Sequence, residues 1–191
     1  MTSRFDRERL IALLKRDALR TGTFTLASGR QSHYYVDGRS VTLSAEGASL
    51  IGAGVLECLA DLPQLDAIGG LTLGADPIVG ATLALAGARG LTNLRGFLVR
   101  KEAKGHGTGK LVEGPLTEGM TVAIVDDVAT TGGSSLQAVA AVEAMNCRVA
   151  RVITVLDRLE GASAAFSARG LDFRAILTIR DLGVEPLASS V

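Results

Sequence analysis

Residues 121–135 read T-V-A-I-V-D-D-V-A-T-T-G-G-S-S: an apolar run, two adjacent carboxylates, then hydroxyls and glycines. The apolar run predicts a buried strand. In an open α/β sheet ligands bind beyond the carboxyl ends of strands, so Asp126 and Asp127 stand where a binding edge is expected. Thr130, Thr131, Gly132, Gly133 and Ser134 then open a helix, whose free backbone N–H groups and dipole favour an anion, while the glycines let the backbone approach it closely. Carboxylates next to a bound phosphate would repel it, so they are expected to accept hydrogen bonds from sugar hydroxyls, with a divalent metal shared nearby. A phosphorylated sugar satisfies both halves. An ordinary strand-turn-helix with Asp as a cap would account for one carboxylate but not for two at the end of an apolar run.

A second segment, residues 100–113, reads R-K-E-A-K-G-H-G-T-G-K-L-V-E. Gly105, Gly107 and Gly109 make it too flexible for a helix or strand, and a long loop inside a compact domain is usually either a lid or disordered. Arg100, Lys101, Lys104 and His106 put positive charge on it, which suits a leaving group carrying several negative charges, such as pyrophosphate. A charge run of this kind is as often a solvated loop; the glycine spacing favours the lid.

The elements that must position these groups follow from periodicity. Ser3 is expected to cap an amphipathic helix in which Leu10, Ile11, Leu13, Leu14, Ala18 and Leu19 recur at helical spacing. Residues 21–37, rich in Ser, Thr and Tyr and punctuated by glycine, read as short strands and turns. Ser44 caps a second helix running to about Leu62. Strands are then expected at 66–70, 94–99, 121–125, 149–156 and 173–179, helices at 77–88, 134–146 and 161–168, and a polar loop over 100–118. Apolar β-branched runs alternating with helices indicate a mainly parallel sheet covered on both faces. The reading is one α/β domain over residues 1–191, with a catalytic core over about 64–180 and a small N-terminal subdomain over about 1–40.

Composition excludes several classes. The 191 residues include 20 basic and 20 acidic side chains, for a net charge of +0, which argues against a broad basic face for nucleic acid. There is no Trp and aromatics make up 4%, a poor supply for base-stacking platforms. Cys58 and Cys147 lie outside any C-x-x-C spacing, both within apolar helical patterns, and read as buried reduced thiols. The charged N-terminus lacks a signal-peptide core and no apolar run spans a bilayer, so a cytoplasmic protein without membrane contact is expected. K-G-H-G-T-G-K-L has Lys104 where a Walker A loop needs its first Gly, and Leu111 where it needs Ser or Thr. Glycine, at 23 residues, is well above its average share of roughly 7%.

The run 121–135 closely resembles the phosphoribosyl pyrophosphate (PRPP) motif of type I phosphoribosyltransferases: a hydrophobic strand, an acidic pair and a Thr/Gly-rich loop. Two further segments resemble orotate phosphoribosyltransferases. F-T-L-A-S-G-R-Q-S-H-Y-Y-V-D, residues 24–37, is similar to their N-terminal base-binding segment, and residues 100–113 to their mobile catalytic loop; L-D-R at 156–158 adds to the match. The resemblance implies the type I phosphoribosyltransferase fold, with the N-terminal subdomain as a hood over the site. It implies transfer of ribose 5-phosphate from PRPP to N1 of orotate, giving orotidine 5′-monophosphate and diphosphate in pyrimidine synthesis.

By the same resemblance, Arg100, Lys101, Lys104 and His106 contact PRPP phosphates, with Lys104 most tied to turnover, and Asp126, Asp127, Val128, Ala129, Thr130, Thr131, Gly132, Gly133 and Ser134 hold the ribose and 5′-phosphate. Thr130 and Arg158 contact orotate, and Tyr35 and Val36 pack on its ring; read as residues alone, Tyr34 and Tyr35 could equally be core aromatics. Mg²⁺ is implied as cofactor, held mainly by PRPP, with Asp126 or Asp127 reaching it through water. A homodimer is implied in which the 100–118 loop reaches the neighbouring site. The chain departs from some members at Ala27, where they carry Lys, and at Leu73 and Gly74, where they carry Tyr-Lys. Residues 69–77 instead match another branch, whose backbone N–H groups bind pyrophosphate. A phosphoribosyltransferase for a purine or other base, which would need neither the 24–37 segment nor Arg158, and a non-catalytic PRPP-sensing regulator are the alternatives.

Overall fold

The computed structural model describes residues 4–25, 29, 31–62, 64–102 and 110–187. Helix α1 (Arg7–Asp17) leads into strands β1 (Leu19–Thr25) and β2 (Gln31–Val36), which pair antiparallel, and then into the short α2 (Arg39–Thr42) and α3 (Ala45–Leu59). The rest alternates: β3 (Ala67–Leu71), α4 (Ala75–Ala88), β4 (Arg95–Val99), β5 (Val112–Glu113), β6 (Thr121–Ala129), α5 (Gly133–Glu143), β7 (Arg148–Asp157), α6 (Ala162–Ser167), β8 (Phe173–Thr178) and a 3-10 turn at Ile179–Leu182. Among the described residues the central sheet has the order β5-β4-β3-β6-β7-β8, parallel except for β5.

The middle strands β3, β6 and β7 are largely buried on both sides because helices cover both faces. Along β6, Ala123 and Val125 join a core with α1, α3 and α4 residues such as Leu14, Ile51 and Ile78, whereas Val122 and Ile124 join a second core with Val139 of α5 and Phe166 of α6. Helix α4 thus packs on one face and α5 on the other. The chain runs outward from β3 to β4 and β5, then returns to the other flank of β3 and runs outward through β6, β7 and β8. The connections diverge between β3 and β6, and at such a switch point the carboxyl ends of neighbouring strands leave a crevice.

Several boundaries differ from expectation. Helix α1 is capped by Asp6, whose carboxylate accepts from the Arg9 N–H at 3.0 Å; Ser3 lies outside the described residues. The Ser44 cap is as expected, its hydroxyl accepting from the Gly47 N–H at 3.0 Å. The 100–118 region is not wholly loop, since Val112 and Glu113 pair with Val99 and Leu98. Strand β6 continues four residues past Val125 because β7 accompanies it as far as Asp157. Cys147 follows α5 rather than lying in it, and Cys58 is only half-buried; both thiols are free. No helix among the described residues is long and apolar enough to cross a membrane.

Candidate active site

The pairing of β3 with β6 ends at Gly69 opposite Ile124, while β6 goes on paired to β7 alone. A cleft of about 440 Å³ opens beyond that point, lined by Tyr35–Arg39 on one wall, Leu71–Gly74 on another, and Lys101, Asp126, Asp127, Val128 and Ser134. The acidic pair therefore stands in the second half of its strand, past the last residue paired with β3.

The two carboxylates are not equivalent. Asp126 is buried at 7% exposure, accepts from the Ser135 hydroxyl at 3.1 Å and from the Asp127 N–H at 3.0 Å, and has its pKa raised to about 7, first by burial and then by the charge of Asp127. Asp127 is half-buried, and its Oδ1 accepts from the Val128 N–H at 2.8 Å. A Cβ on Gly74 would lie 2.9 Å from Oδ1 of both carboxylates, so the turn after β3 can approach the pair only as glycine. That turn holds a cis peptide between Thr72 and Leu73, and the Thr72 hydroxyl closes it by donating to Asp76 at 2.8 Å.

Across the cleft α5 begins without a side-chain cap, leaving the N–H groups of its first turn free for a ligand. Gly132 sets this start with a left-handed φ of 82°, and a Cβ there would meet the Phe166 ring at 2.8 Å. Two carboxylates facing an uncapped helix start can bind a molecule with hydroxyls at one end and an anion at the other. Among the described residues no group of three or more His, Cys, Asp or Glu could hold a metal ion. The acidic pair alone suits a cation that keeps most of its water and takes its other ligands from a substrate, which is the habit of Mg²⁺.

A family model for the phosphoribosyl transferase domain matches residues 79–167. The orotate phosphoribosyltransferase of Rhodopirellula baltica is 49% identical over 182 residues, covering 93% of this chain and 94% of the relative. That of Thermosynechococcus vestitus is 48% identical over 177 residues, 92% of each. The chain belongs to the orotate phosphoribosyltransferase family. The crystal structure of Mycobacterium tuberculosis orotate phosphoribosyltransferase in complex with PRPP superposes with a TM-score of 0.79 at 39% identity, covering 93% of this chain and 99% of that one.

The family motifs converge on the cleft from four places in the chain. Tyr35, Val36, Leu73, Gly74, Lys101, Asp126, Asp127, Val128 and Ser134 line it. Thr131 and Gly133 are exposed at the start of α5, Gly132 is buried beneath them, and Thr130 is half-buried, its carbonyl accepting from the Ala162 N–H at 3.0 Å. Ala129 faces the core, 2% exposed. Arg100 stands outside the lining residues, its Nε donating to Glu113 at 3.0 Å. Arg158 is buried behind the hairpin, stacked on Tyr34 and paired with Glu160. Lys104 and His106 lie outside the described residues.

The two tyrosines divide the roles that sequence left open for both. Tyr34 is fully buried, whereas Tyr35 is 41% exposed, lines the cleft and meets the Phe24 ring at 5.9 Å between centroids. Sequence reasoning missed Arg39. Its Nε donates to Asp37 at 3.3 Å, and it adds a second described cation beside Lys101 in a cleft with three carboxylates. The signal was available: a basic residue two positions after an acid that directly follows a strand.

Proposed function

We propose that this chain is an orotate phosphoribosyltransferase that transfers ribose 5-phosphate from PRPP to N1 of orotate, releasing orotidine 5′-monophosphate and diphosphate. One observation carries the reading: at the switch point of the sheet, an acidic pair faces an uncapped helix start, the arrangement a sugar phosphate requires. The PRPP complex of the Mycobacterium tuberculosis relative supports it. The 5′-phosphate sits on the first-turn N–H groups of α5, with Thr131, Gly133 and Ser134 around it. Asp126 and Asp127 accept from the ribose hydroxyls and favour positive charge developing at C1. The turn Leu71–Gly74 offers its backbone to the diphosphate, and Lys101, Lys104, Arg100 and His106 add positive charge there. Tyr35 and Val36 pack on the base, whose carboxylate turns toward Arg158 and Thr130.

The C1–O bond breaks as the C1–N1 bond forms on the opposite face, through an oxocarbenium-like state, and the N1 proton is released. No protein nucleophile is required; positioning and electrostatics suffice. Bound Mg²⁺ would neutralise charge on the diphosphate, with Asp127 and Asp126 holding its waters. The enzyme acts in the cytoplasm as a homodimer, with the 100–118 loop reaching the neighbouring site and the N-terminal subdomain of about residues 1–40 closing over the base.

Orotate, uracil and adenine supplied together with PRPP and Mg²⁺ test the base directly. Orotidine 5′-monophosphate is expected as the nucleotide product, and an adenine nucleotide as main product would overturn the reading.

A further inference from the structure

Arg158 leaves β7 in a tightly held turn. Its N–H donates to the Ala129 carbonyl at 2.9 Å, and the Asp157 carboxylate accepts from the Leu159 N–H at 2.8 Å. Leu159 takes a left-handed φ of 60°, a conformation leucine adopts only where its surroundings impose it. The turn delivers Arg158 and Glu160 to one partner, Tyr34 on β2. The Tyr34 side chain is fully buried, and those of Arg158 and Glu160 are 8% and 7% exposed. The Tyr34 hydroxyl accepts from Arg158 Nε at 3.3 Å and donates to Glu160 Oε1 at 3.0 Å. The guanidinium carbon lies 4.8 Å from the centre of the Tyr34 ring.

This guanidinium is held but not used up. Nη2 lies 2.8 Å from Glu160 Oε1, close enough for an ion pair, yet it is buried without a directed hydrogen bond. Among the described residues none accepts from Nη1 either. Buried donors are rarely left unmet without a functional reason, and a guanidinium binds a carboxylate through two parallel N–H groups. The two residues that follow Tyr34 on the same strand line the cleft. We infer that Tyr34 and Glu160 are positioning residues that hold Arg158 in one orientation, its remaining N–H groups presented to the carboxylate of the base. Glu160 balances the buried charge while the site is empty, and Tyr34 fixes the spacing between the hairpin wall and the β7 turn. The inference rests on the reading that the base is orotate.

The test is the KM for orotate and for PRPP in wild type, Tyr34→Phe, Glu160→Gln, Arg158→Lys and the double variant Tyr34→Phe/Arg158→Lys. Tyr34→Phe and Glu160→Gln are expected to raise the orotate KM about 5- to 20-fold with the PRPP KM within about twofold, and Tyr34→Phe to add nothing once Arg158 is Lys. Equal rises in both KM values, or independent effects in the double variant, would show a merely structural role and overturn the inference. A lower orotate KM in Glu160→Gln would overturn it too, by making Glu160 a competitor of the base. Glu160→Gln strands a buried charge, so Tyr34→Phe, which keeps the ring, decides the matter if that variant does not fold. Wild type active on orotate with the wrong variant pattern rejects this inference alone; wild type inactive on orotate rejects the reaction and the inference together.

Discussion

Asp126 carries the clearest electrostatic signature in the cleft. Burial and its neighbour Asp127 raise its pKa from 3.8 to about 7, so the folded chain holds a proton that the unfolded chain gives up. Folding therefore binds protons between those values, and the contribution of this group is greatest below pH 4 and is lost as pH rises toward 7. Asp126→Asn should remove that loss, leaving a variant more stable than wild type at pH 8 by a few kcal/mol and similar near pH 4. Thermal melts of both proteins across pH 4–8 would show it; parallel profiles would refute it. The same variant should lose most of its turnover, because an amide accepts ribose hydroxyls less well. For Lys104, Lys104→Ala is expected to lower kcat far more than it weakens PRPP binding, and equal losses in steady-state kinetics would contradict a role confined to the transition state.

At the scale of elements, the start of α5 depends on Gly132. Ala there would face both the left-handed φ of 82° and the Phe166 ring at 2.8 Å. The cost is expected at roughly 2–4 kcal/mol, with a larger proportional rise in the PRPP KM than in the orotate KM, measured by denaturant unfolding and kinetics. Strands β3, β4, β7 and β8 and helices α3 to α6 were legible to within a few residues because short apolar runs and helical periodicity, each bounded by turn residues, mark them locally. What escaped depended on partners distant in sequence. Val112 and Glu113 become a strand only because β4 has a free edge, and β6 reaches Ala129 only because β7 runs beside it. The acidic pair and the glycine loop were readable from local chemistry alone. The division between Tyr34 and Tyr35 was not, since alternate residues of a strand face opposite sides and nothing local says which side is the cleft.

Across the whole molecule, function and stability lie at opposite ends of the sheet. The cleft uses the carboxyl ends of β3 and β6. Near the amino-terminal ends of β7 and β8, the buried Arg151, 4% exposed, pairs with Asp61 and Asp172 and donates to the Cys58 carbonyl at the end of α3. Arg151→Ala would remove a buried side chain and its hydrogen bonds to the Cys58 carbonyl and Asp61, leaving Arg174 as the cation beside Asp61 and Asp172, and is expected to destabilise the fold through lost packing and an unmet carbonyl. Its Tm should fall while both KM values hold, and a substrate-specific KM change without loss of Tm would contradict this separation. The glycine excess divides in the same way. Gly74 brings backbone up to the acidic pair in the cleft, and Gly132 sets the start of α5 beside it. Gly52 lets α3 approach α4, where a methyl group would stand 3.1 Å from the Ala81 carbonyl oxygen, and Gly80 and Gly87 have open space where a side chain would stand. The central claim joins these scales: the switch-point cleft takes PRPP and delivers its ribose 5-phosphate to orotate. The ultraviolet absorbance of orotate, followed after adding the purified chain to orotate, PRPP and Mg²⁺, tests it most directly. The predicted result is a loss that needs PRPP and is matched mole for mole by diphosphate; no loss at ample enzyme would contradict the claim.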